Sequence, residues 1–190
     1  YCISCKKIME NINIKEKYNL PDEIIYCKKC VISNQRPRIT FDKDGVCSAC
    51  NYFKFKSKID WEQREKELIE ILDAHRSKDG SYDCVVPSSG GKDSAFVAHE
   101  LKTKYRMNPL TVTWSPLKYT DIGWENLVNF NKSGFDVILG MANGQTVRRL
   151  CKDAMIEMGD PFQPFIYGQV LFPIKIATKF NIKLVFSGEN

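Results

Sequence analysis

The residues with the clearest chemical signature lie between a short apolar stretch and a helical pattern. The sequence there reads Pro-Ser-Ser-Gly-Gly-Lys-Asp-Ser, residues 87–94. Two adjacent glycines, Gly90 and Gly91, let the backbone turn tightly with its N–H groups exposed, because no Cβ shields them from an anion. The hydroxyl groups of Ser89 and Ser94 add donors, and a helix predicted to begin at Ser94 points its positive end at the same place. This stretch therefore predicts a phosphate-binding loop.

Lys92 and Asp93 complete the loop with one charge of each sign. A lysine attracts phosphate oxygens, and a carboxylate in an anion site makes sense where it helps to hold Mg²⁺ or to position the phosphates. We predict catalytic roles for both residues. The alternative is a glycine turn with polar flanks in which Asp93 or Ser94 only caps a helix.

Two better-known nucleotide motifs do not fit this stretch. A Walker A loop needs Gly-Lys followed by Ser or Thr, whereas Asp93 follows Lys92, and the Gly-x-Gly-x-x-Gly pattern is absent from the sequence. The stretch instead resembles the PP-loop of N-type ATP pyrophosphatases. That resemblance implies that the loop binds the β- and γ-phosphates of ATP, with Mg²⁺, and that ATP is cut between its α- and β-phosphates. The implied nucleotide-binding residues are Ser89, Gly90, Gly91, Lys92, Asp93 and Ser94.

A second glycine-containing segment, Ser-Gly-Glu-Asn at residues 187–190, follows the last predicted strand. It would lie at the carboxyl edge of a parallel sheet, where open α/β folds bind ligands. PP-loop proteins often carry a motif there that closes over the nucleotide, so we add Gly188 and Glu189 to the predicted nucleotide site. A plain turn at the end of a strand is the alternative.

Six of the eight cysteines fall in three Cys-x-x-Cys pairs within the first 50 residues. The pairs Cys27/Cys30 and Cys47/Cys50 are separated by 16 residues, a spacing typical of structural zinc sites in which two tight knuckles bring four thiolates to one ion. A closed shell of four thiolates leaves no position for substrate, so we predict a structural Zn²⁺. Reduced cysteines or an iron–sulfur centre are the alternatives.

The other cysteines and both histidines receive no role in the predicted chemistry. The Cys-x-x-Cys pair closest to the N-terminus lies outside the preferred spacing for the zinc site. One isolated cysteine falls in a predicted strand and is interpreted as a small buried side chain, and the other falls on a predicted helix. These residues without an assigned role are Cys2, Cys5, Cys84, Cys151, His75 and His99.

Composition and charge fit a chain that works in the cytosol. It contains no run of about 18 apolar residues, and its first residues do not have the layout of a signal peptide. The net charge of +5 lies in residues 1–60, which hold 12 Lys and Arg against 7 Asp and Glu. A basic module can serve phosphate-bearing partners such as nucleic acid, or its lysines can offset the charge of metal-bound thiolates. We expect a cytoplasmic protein without a membrane partner.

Alternating strand and helix patterns after residue 81 predict a parallel sheet with helices on both faces. Predicted strands at 83–86, 110–114, 135–139 and 183–186 alternate with predicted helices at 94–105, 122–131, 146–158 and 169–180. The expected fold class is α/β, a parallel-sheet PP-loop (adenine nucleotide alpha-hydrolase-like) domain with a small N-terminal Cys₄ zinc-ribbon module. Predicted boundaries are 1–55 for that module of short strands and turns, 56–80 for a linker helix, and 81–190 for the PP-loop domain, which we expect to lack its C-terminal part.

Beyond the single loop, the chain resembles the N-acetyl sugar amidotransferases of bacterial surface-polysaccharide and flagellar-glycan biosynthesis. The similarity runs over residues 26–190 with order and spacing kept, and residues 1–25 match nothing in it. The segments that carry it are 26–37 (YCKKCVISNQRP), 41–50 (FDKDGVCSAC), 82–94 (YDCVVPSSGGKDS), 108–114 (NPLTVTW), 120–126 (TDIGWEN), 159–165 (GDPFQPF) and 188–190 (GEN).

This resemblance implies that the N-acetyl group of an amino sugar becomes an acetamidino group. The amide oxygen attacks the α-phosphate of ATP, pyrophosphate leaves, and ammonia from a separate glutaminase subunit displaces AMP. The implied partners are an N-acetylated amino sugar, free or nucleotide-linked, and that glutaminase; nucleic acid is not expected. Asp121, Trp124, Gln163 and Tyr167 are secondary candidates for substrate contacts, with solvated loops, core packing or a rigid connector as the alternatives.

The main rival is a tRNA-thiolating PP-loop enzyme, which also activates a carbonyl oxygen with AMP and can carry zinc ribbons. The basic N-terminal module suits it. Sulfur transfer usually needs reactive cysteines near the nucleotide, however, and from Tyr82 onward the chain has only Cys84 and Cys151. A third alternative is a binding module on an inactive nucleotide domain, and the intact loop argues against it.

Overall fold

A computed structural model describes residues 13–188 of the chain. The backbone separates into two compact units, residues 1–62 and residues 63–190, and each is considered by itself. The unassigned Cys2 and Cys5 and the predicted nucleotide contact Glu189 lie outside the described residues. Within residues 13–188, no helix combines the length and the apolar character that crossing a bilayer requires.

From residue 13 onward, the first unit consists of short turns, two helices and isolated strand pairings. The helices are α1 (Ile14–Lys17) and α2 (Ser48–Lys56). The antiparallel bridges join Tyr26 to Ser33 and Phe41 to Cys47. A small apolar cluster holds the unit together, and its buried members are Cys27, Val46 and Cys47.

Helix α2 corrects the expectation that residues 1–55 hold only short strands and turns. Cys47 stands at its N-cap in an extended conformation, and its sulfur accepts the N–H of Cys50 at 3.4 Å. That bond satisfies an N–H of the first turn, which has no acceptor within the helix. The helix start escaped the sequence analysis because cysteine is not among the usual N-cap residues.

The second unit contains a three-stranded parallel sheet in the order β1-β2-β3. The strands are β1 (Cys84–Pro87), β2 (Pro109–Trp114) and β3 (Val137–Gly140). The helices from the unit boundary onward are α3 (Trp61–Ala74), α4 (Lys92–Thr103), α5 (Asp121–Lys132), α6 (Gly144–Met158) and α7 (Gln163–Lys179). Val85 lies opposite Leu110, and Val112 lies opposite Ile138. The mixed α/β class and the parallel sheet are confirmed.

A further chain segment pairs with β1 on the side away from β2. Val185 forms a parallel bridge with Val85. The N–H of Val85 donates to Leu184 O at 2.9 Å, and the N–H of Phe186 donates to Val85 O at 2.8 Å. The predicted strand 183–186 is therefore a single bridge rather than a longer ladder. It still gives β1 a hydrogen-bonded neighbour on each side.

Side chains of β1 alternate between two apolar cores. Cys84 and Val86 belong to a cluster with Leu72 of α3, whereas Val85 belongs to a cluster with Ile176 of α7. All three β1 side chains are fully buried, as expected for a parallel strand covered on both faces. Helix α3, predicted as a linker, thus contributes to the core of the second unit.

All four helices predicted after residue 81 begin earlier than the sequence pattern suggests, α5 by one residue and α6 by two. Helix α4 starts at Lys92 instead of Ser94. Helix α7 starts at Gln163 instead of Gln169. Pro164 falls in its first turn, where the N–H that proline lacks would have no helical acceptor. The stretch around Pro164, for which a rigid connector was the alternative to substrate contacts, is therefore the start of a helix.

A buried carboxylate fixes the entry into β1. Asp83 is 7% exposed, and its two oxygens accept the N–H groups of Ser77 and Asn108, each at 2.6 Å. These bonds join the loop after α3 to the residue before β2. The register of β1 against β2 therefore depends on a charge-assisted contact at its first end.

We predict that Asp83→Ala lowers the free energy of unfolding by about 1–3 kcal/mol, because it removes a buried carboxylate that accepts the N–H groups of Ser77 and Asn108 in part-buried hydrogen bonds. Urea denaturation of the full chain measures the change. Asp153→Ala, at an exposed position of α6, is the control and should change the same free energy by less than about 0.5 kcal/mol. Equal effects of the two substitutions would contradict this account of β1.

Candidate functional site

The glycine loop, residues 88–91, joins the carboxyl end of β1 to the first residue of α4. Gly91 is the N-cap in an extended conformation (φ −73°, ψ 158°), and no side chain among the described residues bonds to this cap. The first N–H groups of any helix have no acceptor within it, so those of Lys92, Asp93 and Ser94 point out of the helix start. Together with the helix dipole they favour an anion.

Gly90 is required by both its conformation and its surroundings. Its φ is +78°, which residues with a side chain rarely adopt. A Cβ at this position would lie 3.0 Å from the backbone nitrogen of Leu127 and 3.1 Å from the carbonyl carbon of Asn126. Helix α5 therefore packs directly against the backbone of the loop.

Ser88 anchors the loop from inside, and the sequence analysis gave it no role. It is 5% exposed, and its N–H donates to Val112 O at 2.9 Å. Its Oγ accepts the N–H of Gly90 at 3.4 Å and donates to Ser94 Oγ at 3.2 Å. Ser94 Oγ donates in turn to Gly91 O at 3.2 Å. The one sequence signal for Ser88 is its position directly after a buried strand.

The segment after Phe186 packs on the first turn of α4. A Cβ at Gly188 would lie 3.2 Å from the carbonyl oxygen of Asp93 and 3.2 Å from Cα of Ser94. The backbone at residue 188 therefore approaches the helix start closely. The two glycine-containing segments, far apart in sequence, meet at one edge of the sheet.

A cavity of about 690 Å³ opens at this edge of the second unit. Its volume falls in the range of roughly 300–1,000 Å³ that small-molecule sites occupy. Most of the residues predicted to bind nucleotide line it, namely Ser89, Gly91, Lys92, Asp93, Ser94 and Gly188. Among the described lining residues, Lys92 is the only cation and Asp93 the only anion. Gly90 is absent from the lining, and its contacts are with α5.

Helix α7 and the end of β2 give the cavity an apolar part that the sequence analysis did not foresee. The lining residues from these elements include Trp114, Phe165, Ile166, Gln169, Val170, Pro173 and Ile174. The loop side is polar and carries both charges, whereas the α7 side is mainly aliphatic and aromatic. This distribution suits a ligand with an anionic portion and an apolar or aromatic portion.

The secondary candidates for substrate contacts do not gather at this cavity. Asp121, Trp124 and Gln163 are outside its lining. The side-chain amide of Gln163 donates to Asp160 at 3.0 Å. Tyr167 lines a second cavity of about 470 Å³ on α7.

The isolated cysteines and His75 are outside the lining of the 690 Å³ cavity. Cys84 is fully buried, and burial, followed by the charge of Asp83, raises its pKa to about 12. Cys151 is half-buried on α6. The ring of the half-buried His75 is bonded through Nδ1 to the carbonyl of Ile71 at 2.7 Å.

In the first unit, four cysteines form a compact cluster. The sulfur atoms of Cys27, Cys30, Cys47 and Cys50 all lie within 4.8 Å of one another. The Sγ–Sγ distance is 3.9 Å between Cys27 and Cys50 and 3.7 Å between Cys30 and Cys47. Four sulfurs placed about 2.3 Å from a zinc ion form a tetrahedron with edges of about 3.8 Å, whereas disulfide sulfurs are about 2.05 Å apart. The cluster could therefore hold a metal ion such as zinc.

Backbone N–H groups surround the sulfur of Cys27. Burial by itself raises the pKa of this thiol, but the N–H groups of Cys47, Lys29 and Cys30 outweigh it and lower the pKa to about 6. The donors at Cys47 and Lys29 lie 3.2 and 3.3 Å from the sulfur. A hydrogen bond with Cys30, followed by burial, raises the pKa of Cys50 to about 12. Since metals bind the thiolate, Cys27 is the ligand already suited to one.

The second knuckle is held by the turn that begins at Asp42. Its carboxylate accepts the side-chain amide of Asn51 at 2.7 Å and the N–H of Val46 at 2.9 Å. These donors, the Asn51 amide most strongly, lower the pKa of Asp42. Gly45 O then accepts the N–H of Lys28 at 3.0 Å. The turn therefore connects both knuckles of the cysteine cluster.

Comparison with known proteins gives a relative that matches part of the chain. No protein-family model matches the chain. The chain is 31% identical over 107 residues to an uncharacterized protein of Methanocaldococcus jannaschii, a stretch that covers 56% of this chain and 38% of that protein. The chain thus spans well under half the length of this relative. The similarity carries no activity with it, so function must be argued from the site.

We predict that the purified full chain contains zinc and that Cys47→Ser lowers its zinc content by about one equivalent, because one lost thiolate opens a four-ligand shell. Elemental analysis after desalting measures the content. Cys151→Ser, which changes a cysteine outside the cluster, is the control and should leave the zinc content unchanged. Equal zinc in the two variants would show that the cluster is not the site of binding.

Proposed function

We propose that the chain is an ATP-dependent amidotransferase of the PP-loop type that acts on the N-acetyl group of an amino sugar. The observation that carries this proposal is the position of the glycine loop at the end of a central strand. From β1 the chain adds β2 and β3 on one side, and Val185 pairs on the other side. Open α/β sheets bind ligands at the carboxyl ends of strands where the order turns back in this way. The glycine loop stands at that end of β1.

The lining of the 690 Å³ cavity supports a nucleotide triphosphate as the ligand. The N–H groups at the start of α4 and the ammonium group of Lys92 suit the β- and γ-phosphates. The aromatic and aliphatic residues of β2 and α7 suit a base and ribose. Mg²⁺ bound with ATP would neutralise phosphate charge, and Asp93 offers it a carboxylate oxygen at the helix start. Gly188 lies against the same helix turn and suits a segment that covers the phosphates.

In the proposed reaction the amide oxygen of the N-acetyl group attacks the α-phosphorus of ATP. The bond between that phosphorus and the bridging oxygen breaks, and pyrophosphate leaves. Its developing charge is met by Lys92 and by the N–H groups of the glycine loop and α4. The amide carbon then carries AMP as a leaving group. Ammonia adds to this carbon and loses a proton, AMP departs with the former amide oxygen, and an acetamidino group remains.

In this proposal, other molecules supply both the ammonia and the sugar substrate. Ammonia is supplied by a separate glutaminase subunit, and the N-acetylated amino sugar is free or nucleotide-linked. The four-cysteine cluster takes a structural role, because a closed shell of four thiolates leaves no position for substrate. Chemistry is thereby assigned to the second unit alone.

Lys92→Ala is expected to raise the Kd for ATP by about tenfold or more, because a charge-assisted bond to phosphate contributes about 1.5–3 kcal/mol. Titration calorimetry of the full chain with ATP and Mg²⁺ measures this. Lys132→Ala removes an exposed lysine from the C-terminal end of α5 and is the matched control for the loss of one positive charge. If both variants bound ATP equally well, Lys92 would have no part in the phosphate site.

A tRNA-thiolating enzyme is the second candidate, because enzymes of that class can also combine a zinc site with a PP-loop. Sulfur transfer would need a thiolate near the nucleotide, and the pKa of Cys84 of about 12 disfavours one there at neutral pH. Cys151 is half-buried on α6 and outside the lining of the cavity. These observations favour the amidotransferase.

The double variant Cys84→Ala/Cys151→Ala should therefore keep the proposed activity. The assay follows pyrophosphate released from ATP in the presence of an N-acetylated amino sugar and ammonium, and mass spectrometry of the sugar detects the exchange of oxygen for NH. Release that depends on both co-substrates supports the proposal. Loss of release in the double variant, at retained folding, would favour the thiolating enzyme, and no release by the unaltered protein with any N-acetylated sugar would refute the amidotransferase.

A further inference from the structure

Strand β2 carries two buried threonines whose hydroxyl groups donate to carbonyl oxygens on two different neighbours. Thr111 is fully buried, and its Oγ1 lies 2.5 Å from the carbonyl oxygen of Asp136, the residue before β3. Thr113 is 2% exposed, and its Oγ1 donates to the carbonyl oxygen of Ser88. Buried hydroxyl groups are found with partners because an unpaired one is costly. The two bonds are alike in kind, but only the bond of Thr113 ends on the glycine loop.

Ser88 transmits this contact into the loop. Its N–H and its carbonyl oxygen are both bonded to β2, through Val112 O and the Thr113 hydroxyl. Its Oγ, on the other side, bonds to the N–H of Gly90 and to Ser94 Oγ. The orientation of the loop relative to the sheet therefore depends on a buried chain of hydroxyl groups that starts on the neighbouring strand.

We propose that Thr113 is a positioning residue for phosphate binding, acting through Ser88 to hold the glycine loop with its N–H groups directed at an anion. This inference rests on the proposed nucleotide-binding role of the loop. Thr113 also lines the 690 Å³ cavity, but its hydroxyl hydrogen is committed to Ser88 O, so this hydroxyl acts on affinity through the glycine loop. Without it the loop occupies its binding conformation for a smaller fraction of the time, and the apparent affinity falls by that fraction.

The test compares Thr113→Val with Thr111→Val. Both substitutions keep a β-branched side chain of similar shape and remove one buried hydroxyl from the same strand, so both should lower the melting temperature by a similar few degrees. The Kd for ATP with Mg²⁺, measured by titration calorimetry on the full chain, should rise about two- to tenfold for Thr113→Val. It should stay unchanged for Thr111→Val. Thr113→Ser retains the hydroxyl and should restore the affinity.

Each outcome of this comparison supports or overturns the proposed role of Thr113. Equal effects of the two valine substitutions on the Kd would reduce Thr113 to a purely structural role and overturn the inference. An unchanged Kd in Thr113→Val would overturn it while leaving the proposed nucleotide site intact. Absence of ATP binding by the unaltered protein would refute the nucleotide site and this inference together. If Thr113→Val does not fold, Ser88→Ala cuts the same chain of bonds within the loop, and an unchanged Kd there counts equally against the inference.

Hydrogen exchange adds a readout that requires no ligand. The N–H of Gly90 donates to Ser88 Oγ, so its exchange should accelerate in Thr113→Val if the loop is released. In Thr111→Val it should stay close to that of the unaltered protein. Equal exchange at Gly90 in all three proteins would show that the hydroxyl of Thr113 does not hold the loop.

Discussion

The site in the second unit depends on one constraint, which is that β1 has hydrogen-bonded neighbours on both sides. A strand between two neighbours lies inside the sheet, so the residues that follow its carboxyl end stand over the sheet edge. Here the chain turns into α4 within the four residues 88–91. So short a connection brings the unsatisfied N–H groups of the helix start to the edge of the sheet. The returning segment that pairs with β1 ends at the same edge, which brings Gly188 against the start of α4. Polar donors and a cavity thus coincide because of strand order.

The loop is restrained from two directions, and the restraints are of different kinds. Helix α5 lies so close to Gly90 that no side chain fits between them, which is a steric restraint. The bonds of Ser88 to β2 are directional and hold the loop from the sheet side. A flexible glycine pair would lose conformational entropy on binding an anion, whereas a loop fixed in advance loses less. The glycines allow the conformation, and the packing around them selects it.

The parts of the structure that the sequence predicts are those determined by local pattern. A strand, a glycine pair and a helix in succession specify the loop, and two Cys-x-x-Cys pairs at 16-residue separation specify the cluster of four sulfurs. Ser88 and the apolar lining from α7 were missed, because their roles arise from contacts between elements distant in the sequence. The start of α7 was missed for a local reason, since the predicted helix began only at residue 169, although Pro164 is tolerated in a first helical turn.

The two units are stabilised by different interactions, and this difference bears on which unit can hold an active site. The second unit buries apolar residues on both faces of its sheet. Among the described residues of the first unit, the buried apolar cluster consists of Cys27, Val46 and Cys47, which is little for a segment of about 50 residues. A metal ion joining the two knuckles would supply the missing cohesion, because its binding free energy becomes folding free energy. An ion used in this way needs all four sulfurs as ligands and has no open position for a reactant. The argument for a structural metal and the argument for an active site elsewhere are therefore the same argument.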